Sequence, residues 1–308
     1  MCNSRGPSIF RYPGGKSKTS IRKKIISKFP KKFSEFRSPF VGGGGIFFSI
    51  PKDKHRWIND IYPELIEVYK ALANRPDDFI HKCRSIDPVR DDEYNYYKDE
   101  YGQTHYNPRL KKVFDEFKAN VSMDAALRYY FINRTVWAGR VTYHLPSRLY
   151  FSNPQGWNIV KTNKLEESAN LLKDTMISNC DYTELLLAPS SFCNPEDVLI
   201  YLDPPYIVNS YFAHTSQLYA NNFTLRDHIK MRNLIKDSPF KVIISYDDDD
   251  RGWVRRLYNS DEFYIHDEQW TYCGSYNSVN NKKKVGNELI ITNYPVVDEK
   301  KVDIFAYQ

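Results

Sequence analysis

A chain of 308 residues has the material for one large α/β domain, or for a catalytic domain that carries a smaller insertion. Hydrophobic residues at 41% and aromatics at 15%, with 24 Tyr and 18 Phe, argue against a disordered chain and leave a surplus of rings. The formal charge of +6 admits a polyanionic partner without demanding one.

The five cysteines, Cys2, Cys83, Cys180, Cys193 and Cys273, lack paired metal-ligand spacing, so no metal is expected. An odd count outside a secretory context points to reduced thiols in a cytoplasmic protein. The opening residues are polar and basic, unlike a signal peptide, and no apolar run is long enough to span a bilayer, so no membrane partner is expected.

In chain order, the first strand ends in Pro39-Phe40-Val41 and runs into Gly42 to Gly45, after which Ile46-Phe47-Phe48 opens a helix. A short strand, Arg56 to Asp60, precedes a helix whose pattern is Glu64, Leu65, Val68, Tyr69 and Leu72. Over roughly residues 75–165 the pattern becomes polar and tyrosine-rich, as in Tyr94 to Tyr97 and Leu127 to Phe131, which reads as an inserted, largely helical subdomain. Strands resume at Val198 to Leu202 and Val242 to Tyr246, separated by a helix that Thr224 caps and that ends before Pro239. The last strand is Glu288 to Thr292. Uninterrupted β-branched runs of this kind suit the central strands of a sheet covered on both faces, hence a doubly wound α/β domain.

Four segments carry chemistry. The glycine run sits where a strand turns into a helix, which lets the backbone approach a ligand, although a plain turn explains the same residues. Asp60 follows at the separation at which nucleotide-binding folds place a ribose acid, with a helix N-cap as its rival role. Phe10 to Lys16 joins a ring and a cation to a tight turn, suited to a sulfonium or an adenine, or to a solvated arm. The most informative segment is Asp203-Pro204-Pro205-Tyr206. Two prolines fix the chain and remove donors, which leaves a carboxylate and a carbonyl to accept from a flat amino group beside a stacking ring.

Phe10 to Lys16, Pro39 to Gly45, Asn59-Asp60, Asp203 to Tyr206 and Asn287 to Tyr294 follow the order found in the Dam-like (alpha group) N6-adenine DNA methyltransferases, which the chain resembles over nearly its whole length. Asn222-Phe223-Thr224, Asp227-His228, Cys180-Asp181-Tyr182 and Phe131 to Thr135 extend the likeness. The resemblance implies a Rossmann-like sheet of the S-adenosylmethionine-dependent methyltransferase type. Residues 1–74 and 166–308 would form the catalytic domain, and 75–165 a mainly helical target-recognition insertion. Tyr12, Lys16, Phe40, Gly42, Gly44, Asp60, Asp181, Tyr182 and Asp203 would contact S-adenosyl-L-methionine, the methyl donor. Asp203, Pro204, Pro205 and Tyr206 would hold an adenine swung out of double-stranded DNA.

Arg134, Arg140, Lys282 and Lys283 are the candidate DNA contacts, with Arg128, Tyr129, Tyr143 and Arg148 nearby. Arg22-Lys23-Lys24 and Lys31-Lys32 are further candidates for phosphates, and a solvated surface is the alternative for each. A cognate restriction endonuclease is a further partner, a monomer or weak dimer is expected, and the compartment is the cytoplasm of a bacterium, an archaeon or a virus-infected cell. Two positions depart from the family: Tyr12 stands where tryptophan is common, and Ser38 where an acid precedes the Pro-Phe pair. Two other readings stay open. One is methylation of another planar amino group, such as RNA adenine, cytosine N4 or a glutamine side chain. The other is a DNA-binding relative without catalysis.

Overall fold

The structure is a computed structural model that describes residues 8–12, 16–86, 96–98, 100–101, 104–106, 108–120, 123–136, 139, 141, 151, 154–206, 223–248, 251–276 and 283–296. Its centre is a seven-stranded sheet of β1 (Glu35–Ser38), β2 (His55–Asn59), β5 (Thr175–Ser178), β6 (Val198–Leu202), β7 (Lys241–Asp247), β8 (Tyr264–Tyr276) and β9 (Lys283–Thr292), in the order β5-β2-β1-β6-β7-β9-β8. Strands β5, β2, β1, β6 and β7 run parallel, and β9 is antiparallel to both β7 and β8. The chain order reverses between β1 and β6, so the crevice beyond their carboxyl ends is where such a sheet receives a ligand.

Every residue of β6 is buried, and its side chains alternate between two cores. Leu199 and Tyr201 face one, with Ile243 and Ile290; Val198, Ile200 and Leu202 face the other, with Val242, Ile244, Leu289 and Ile291. The first core takes α1 (Thr19–Ile26), α2 (Pro63–Asn74), α3 (Pro76–Ser85), α4 (Pro108–Ala119), α5 (Ala125–Thr135) and α6 (Lys164–Leu172). The second takes α7 (Tyr182–Leu187), α8 (Leu225–Lys236) and α9 (Trp253–Leu257). A second, two-stranded antiparallel sheet pairs β3 (Tyr96–Lys98) with β4 (Thr104–Tyr106).

Local chemistry sets the helix starts. Pro63 and Pro76 occupy the first turns of α2 and α3, where no amide donor is needed. Asp124 caps α5 by accepting from the amides of Ala126 and Leu127 at 3.1 and 3.2 Å. Thr224 and Asp227 form a reciprocal capping box at α8, as the sequence predicts for Thr224.

Three expectations change. The first strand ends at Ser38, before Pro39-Phe40-Val41. After the glycine run the chain makes a single 3-10 turn at Phe47–Ser49 in place of an α-helix. The last strand starts five residues earlier than Glu288, at Lys283, because it pairs with β8 from Tyr264 to Thr271 and again at Tyr276; neither β8 nor β5 is anticipated in the sequence. Among the described residues no helix is long and apolar enough to cross a membrane.

Candidate active site

The carboxyl ends of β1, β2 and β5 are tied together by one side chain. Asn59, fully buried, donates to the carbonyls of Pro39 at 3.1 Å and Cys180 at 2.9 Å, and accepts from the Cys180 amide at 2.9 Å. The next residue holds the glycine loop. Asp60 accepts from the Gly42 amide at 2.9 Å and from the Tyr62 amide at 3.1 Å, while Tyr69 donates its hydroxyl to the Gly42 carbonyl at 2.9 Å. Burial raises the Asp60 pKa to about 6, against the opposing pull of the amides that point at it. Gly42 and Gly44 have φ of +47° and +69°, the left-handed region that this turn requires.

The N-terminal arm lies on that loop. A methyl group added to Gly42 would stand 3.0 Å from the Tyr12 ring, and one on Gly45 would stand 2.9 Å from the Lys16 backbone. Helix α5 anchors the arm from the other side. Asn133 accepts from the Arg11 amide at 3.0 Å and donates to its carbonyl at 2.7 Å, and Arg134 donates to the Ile9 carbonyl at 3.0 Å.

Beyond β6, the Asp203 carboxylate meets Lys16 and Ser245 through one oxygen: Lys16 Nζ is 3.3 Å from Oδ1, and Ser245 Oγ donates to it at 3.0 Å. Oδ2 is left as the more open acceptor in a side chain that is 25% exposed, whereas Lys16 is 3% exposed. Lys16 also donates to the Tyr206 hydroxyl and lies 4.8 Å from the centre of that ring. Tyr206 in turn donates to Glu288 Oε2 at 3.0 Å. Thus the arm, the proline turn and β9 converge on one buried polar group at the topological crossover.

An aromatic cluster adjoins it. Phe40 stacks on Tyr182 with centroids 5.3 Å apart, and Phe223 meets Phe40 edge-on at 5.7 Å. Phe223 also contacts His228, whose Nδ1 pairs with the Tyr246 hydroxyl at 2.7 Å. His228 Nε2 is buried without a partner among the described residues, and burial lowers the His228 pKa to about 4, so the ring is neutral near pH 7. At the start of α7, Asp181 accepts from the Thr183 amide at 3.0 Å and stays exposed.

This geometry is that of a proline-fixed acceptor turn facing a glycine loop, and comparison with known proteins decides what the chain is. The description "D12 class N6 adenine-specific DNA methyltransferase" matches residues 12–273, well over half of the chain. The chain belongs to that family. It is 27% identical over 294 residues to the type II methyltransferase M.CviBI of Paramecium bursaria Chlorella virus NC1A, covering 93% of this chain and 99% of that protein. It is 24% identical over 291 residues to the type II methyltransferase M1.LlaDCHI of Lactococcus lactis subsp. cremoris, covering 92% and 94%. It is 24% identical over 265 residues to the DNA adenine methylase of Vibrio cholerae El Tor, covering 84% and 87%.

In this D12 methyltransferase Tyr12, Lys16, Gly42, Gly44, Asp60, Asp203 and Tyr206 come together at the crossover, and Phe40, Asp181 and Tyr182 lie beside it. Some expected roles change. Asp60 is largely buried with an amide on each carboxylate oxygen, so its immediate work is to shape the loop; it is not the N-cap of α2, which is Tyr62, and its bond to the Tyr62 amide is that of an Asx turn. Arg134 is buried, not a surface DNA contact; its guanidinium donates to the carbonyls of Ile9 and Gly156. Arg128 likewise donates to the Phe117 carbonyl at 2.6 Å. Lys24 of the basic triplet pairs with Glu268 at 3.0 Å, and Arg22 bonds Ser49 at 2.7 Å. Arg140, Tyr143, Arg148, Lys282 and the turn Pro13 to Gly15 lie outside the described residues, and Lys283 is described only as part of β9.

Sequence reasoning gave no role to Ser245, Asn133 or Glu288. A glutamate opening an otherwise apolar, β-branched run is the signal that marks Glu288.

Proposed function

We propose that this DNA adenine methyltransferase takes its methyl group from S-adenosyl-L-methionine and delivers it to N6 of an adenine extruded from duplex DNA. The observation that carries the reading is the Lys16, Asp203 and Tyr206 cluster at the sheet crossover, where the proline turn faces the glycine loop.

The residues fit such a donor. Positive-φ glycines make the tight loop, Tyr12 covers it with a ring suited to a sulfonium, and Phe40, Tyr182 and Phe223 form an aromatic cluster whose faces suit a purine. His228 Nε2 adds a buried polar atom in need of a partner in that cluster. The donor supplies an electrophilic methyl group on a positively charged sulfur, which leaves neutral as the carbon–nitrogen bond forms.

An exocyclic amino nitrogen is a weak nucleophile because its lone pair is shared with the purine. Asp203 Oδ2 and the Pro204 carbonyl accept its two hydrogens, drawing the lone pair out of the ring plane and toward the methyl group. Lys16 and Ser245 hold the other carboxylate oxygen, so the acceptor keeps one orientation. Tyr206 offers its ring to the base, and Asp203 is placed to take the proton that N6 gives up. Asp60 and Asn59 act indirectly by holding the loop and the strand ends. Extrusion of the base costs a few kcal/mol, offset by stacking and by phosphate contacts.

The insertion, 75–165, is proposed to face the DNA, with Arg140, Lys282 and Lys283 as contacts. A monomer or weak dimer acting in the cytoplasm, with a cognate endonuclease as a companion, completes the proposal; the type II names of two relatives support the last point. The test is transfer of label from methyl-tritiated S-adenosylmethionine to unmodified duplex DNA, followed by mapping of the modified adenines. Labelled adenine in duplex DNA, lost in Asp203→Ala with the fold retained, is the expected result. Label confined to RNA, cytosine or protein, or full activity of Asp203→Ala, overturns it.

A further inference from the structure

Glu288 is the buried acid of the site whose work the proposed mechanism leaves unassigned. It sits in β9 between Asp247 of β7 and Glu268 of β8, 1% exposed, and is followed by the fully buried Leu289, Ile290 and Ile291. A carboxylate in such a position is costly unless it is paired, and an apolar residue would extend the core there. It accepts from the Tyr206 hydroxyl at 3.0 Å. The same hydroxyl oxygen accepts from Lys16, whose Nζ lies 3.3 Å from Asp203 Oδ1.

A phenol has one proton and two lone pairs. With its proton committed to Glu288, the Tyr206 oxygen turns a lone pair to Lys16. Without an acceptor at position 288 that proton is free to rotate toward the ammonium, where two donors would face each other. We propose that Glu288 is a positioning residue for methyl transfer: by orienting the Tyr206 hydroxyl it fixes the ring plane of Tyr206 and aims Lys16 at Asp203. The inference rests on the reading of Asp203 and Tyr206 as the adenine-holding turn. It gives β9, which touches no part of that turn in sequence, a direct influence on the rate of chemistry.

The experiment is a double-mutant cycle on the full-length protein, with single-turnover methylation of duplex DNA, S-adenosylmethionine affinity by calorimetry and thermal stability read for each variant. Glu288→Ala is expected to slow single-turnover transfer by about ten- to a hundredfold, as loss of a hydrogen bond to a charged group does, while cofactor affinity moves less than about threefold. Glu288→Gln, whose amide oxygen still accepts, stays within about threefold of wild type in rate. On a Tyr206→Phe background Glu288→Ala adds less than about twofold, because no hydroxyl remains to be oriented.

An equal cost of Glu288→Ala in both backgrounds overturns the inference, as does a Glu288→Gln variant as slow as Glu288→Ala. So does a loss explained entirely by a smaller folded fraction. Should Glu288→Ala not fold, Glu288→Gln decides alone, and a loss beyond about threefold counts against it. A wild-type protein that transfers no methyl group to DNA, or an Asp203→Ala variant at full rate, defeats the reading of the site instead and is told apart by that result.

Discussion

The side-chain amide of Asn133 grips both backbone groups of Arg11, accepting from its amide at 3.0 Å and donating to its carbonyl at 2.7 Å. A residue of α5 therefore holds the arm that brings Tyr12 to the glycine loop and Lys16 to Asp203. Asn133→Ala leaves three main-chain groups without these partners, the Gly139 carbonyl at 3.3 Å being the third, and should destabilise the protein by roughly 3 kcal/mol, at about 1 kcal/mol per bond. Chemical denaturation measures the loss, and calorimetry should show weaker binding of S-adenosylmethionine by the folded variant. Undiminished affinity would mean that the arm keeps its place without Asn133.

Asp203→Asn is the more delicate companion of the alanine change. It retains one acceptor oxygen but removes the charge that faces Lys16, so a rate loss of about a hundredfold is expected with little change in melting temperature. Methylation kinetics beside a thermal melt check this. A loss of a few-fold only would show that the carboxylate charge is dispensable.

Gly44→Ala tests the loop. At φ +69° the new methyl group would stand 2.7 Å from the Tyr69 hydroxyl and 2.9 Å from the Phe48 ring, with backbone strain added. Each of the two effects costs on the order of 1–3 kcal/mol. Urea unfolding should report a loss of that size or greater. A neutral result would place the loop in another conformation.

His228 gives a pH signature. Burial holds its folded pKa near 4, below the value of about 6.5 in an unfolded chain. A group depressed in the fold contributes stability that is complete above about pH 6.5 and disappears as pH falls toward 4, by up to about 3 kcal/mol. Asp60, held at about 6, acts with the opposite sign, since its contribution is present below about pH 4 and disappears as pH rises through 6. Comparing denaturation of wild type and His228→Gln from pH 4 to 7 isolates the histidine: the two curves should converge as pH falls. Parallel curves, or an imidazole titrating near 6.5 by NMR, would rule this out.

How far the sequence speaks for itself depends on whether a residue acts locally. The Thr224 cap, the buried β6 run and the α2 stripe of Leu65, Val68, Tyr69 and Leu72 all follow from neighbours a few positions away, and they are legible. The turn Asp203 to Tyr206 is legible for the same reason, since two prolines dictate its rigidity. Strand β8 is not. Its Tyr264 to Tyr276 run mixes charged, polar and aromatic residues as an edge strand does, and it is defined by pairing with β9. Arg128 and Arg134 read as surface cations because nothing adjacent in sequence shows that carbonyls of Phe117, Ile9 and Gly156 converge on them. Asp60 sits between the two cases. Its Asx-turn bond to the Tyr62 amide is local, whereas its bond to Gly42 spans a strand crossing.

The first core draws on both the sheet and residues 75–165, with Ile9, Phe36, Leu199 and Tyr201 in one packed body with Phe79, Phe114, Tyr130 and Trp157. Transplanting residues 75–165 from a relative, as a test of the proposal that they face the DNA, would therefore cut through a continuous interior. A workable chimera must carry the matching sheet-side partners along with the graft, or confine the exchange to segments that leave Tyr130 and Trp157 in place.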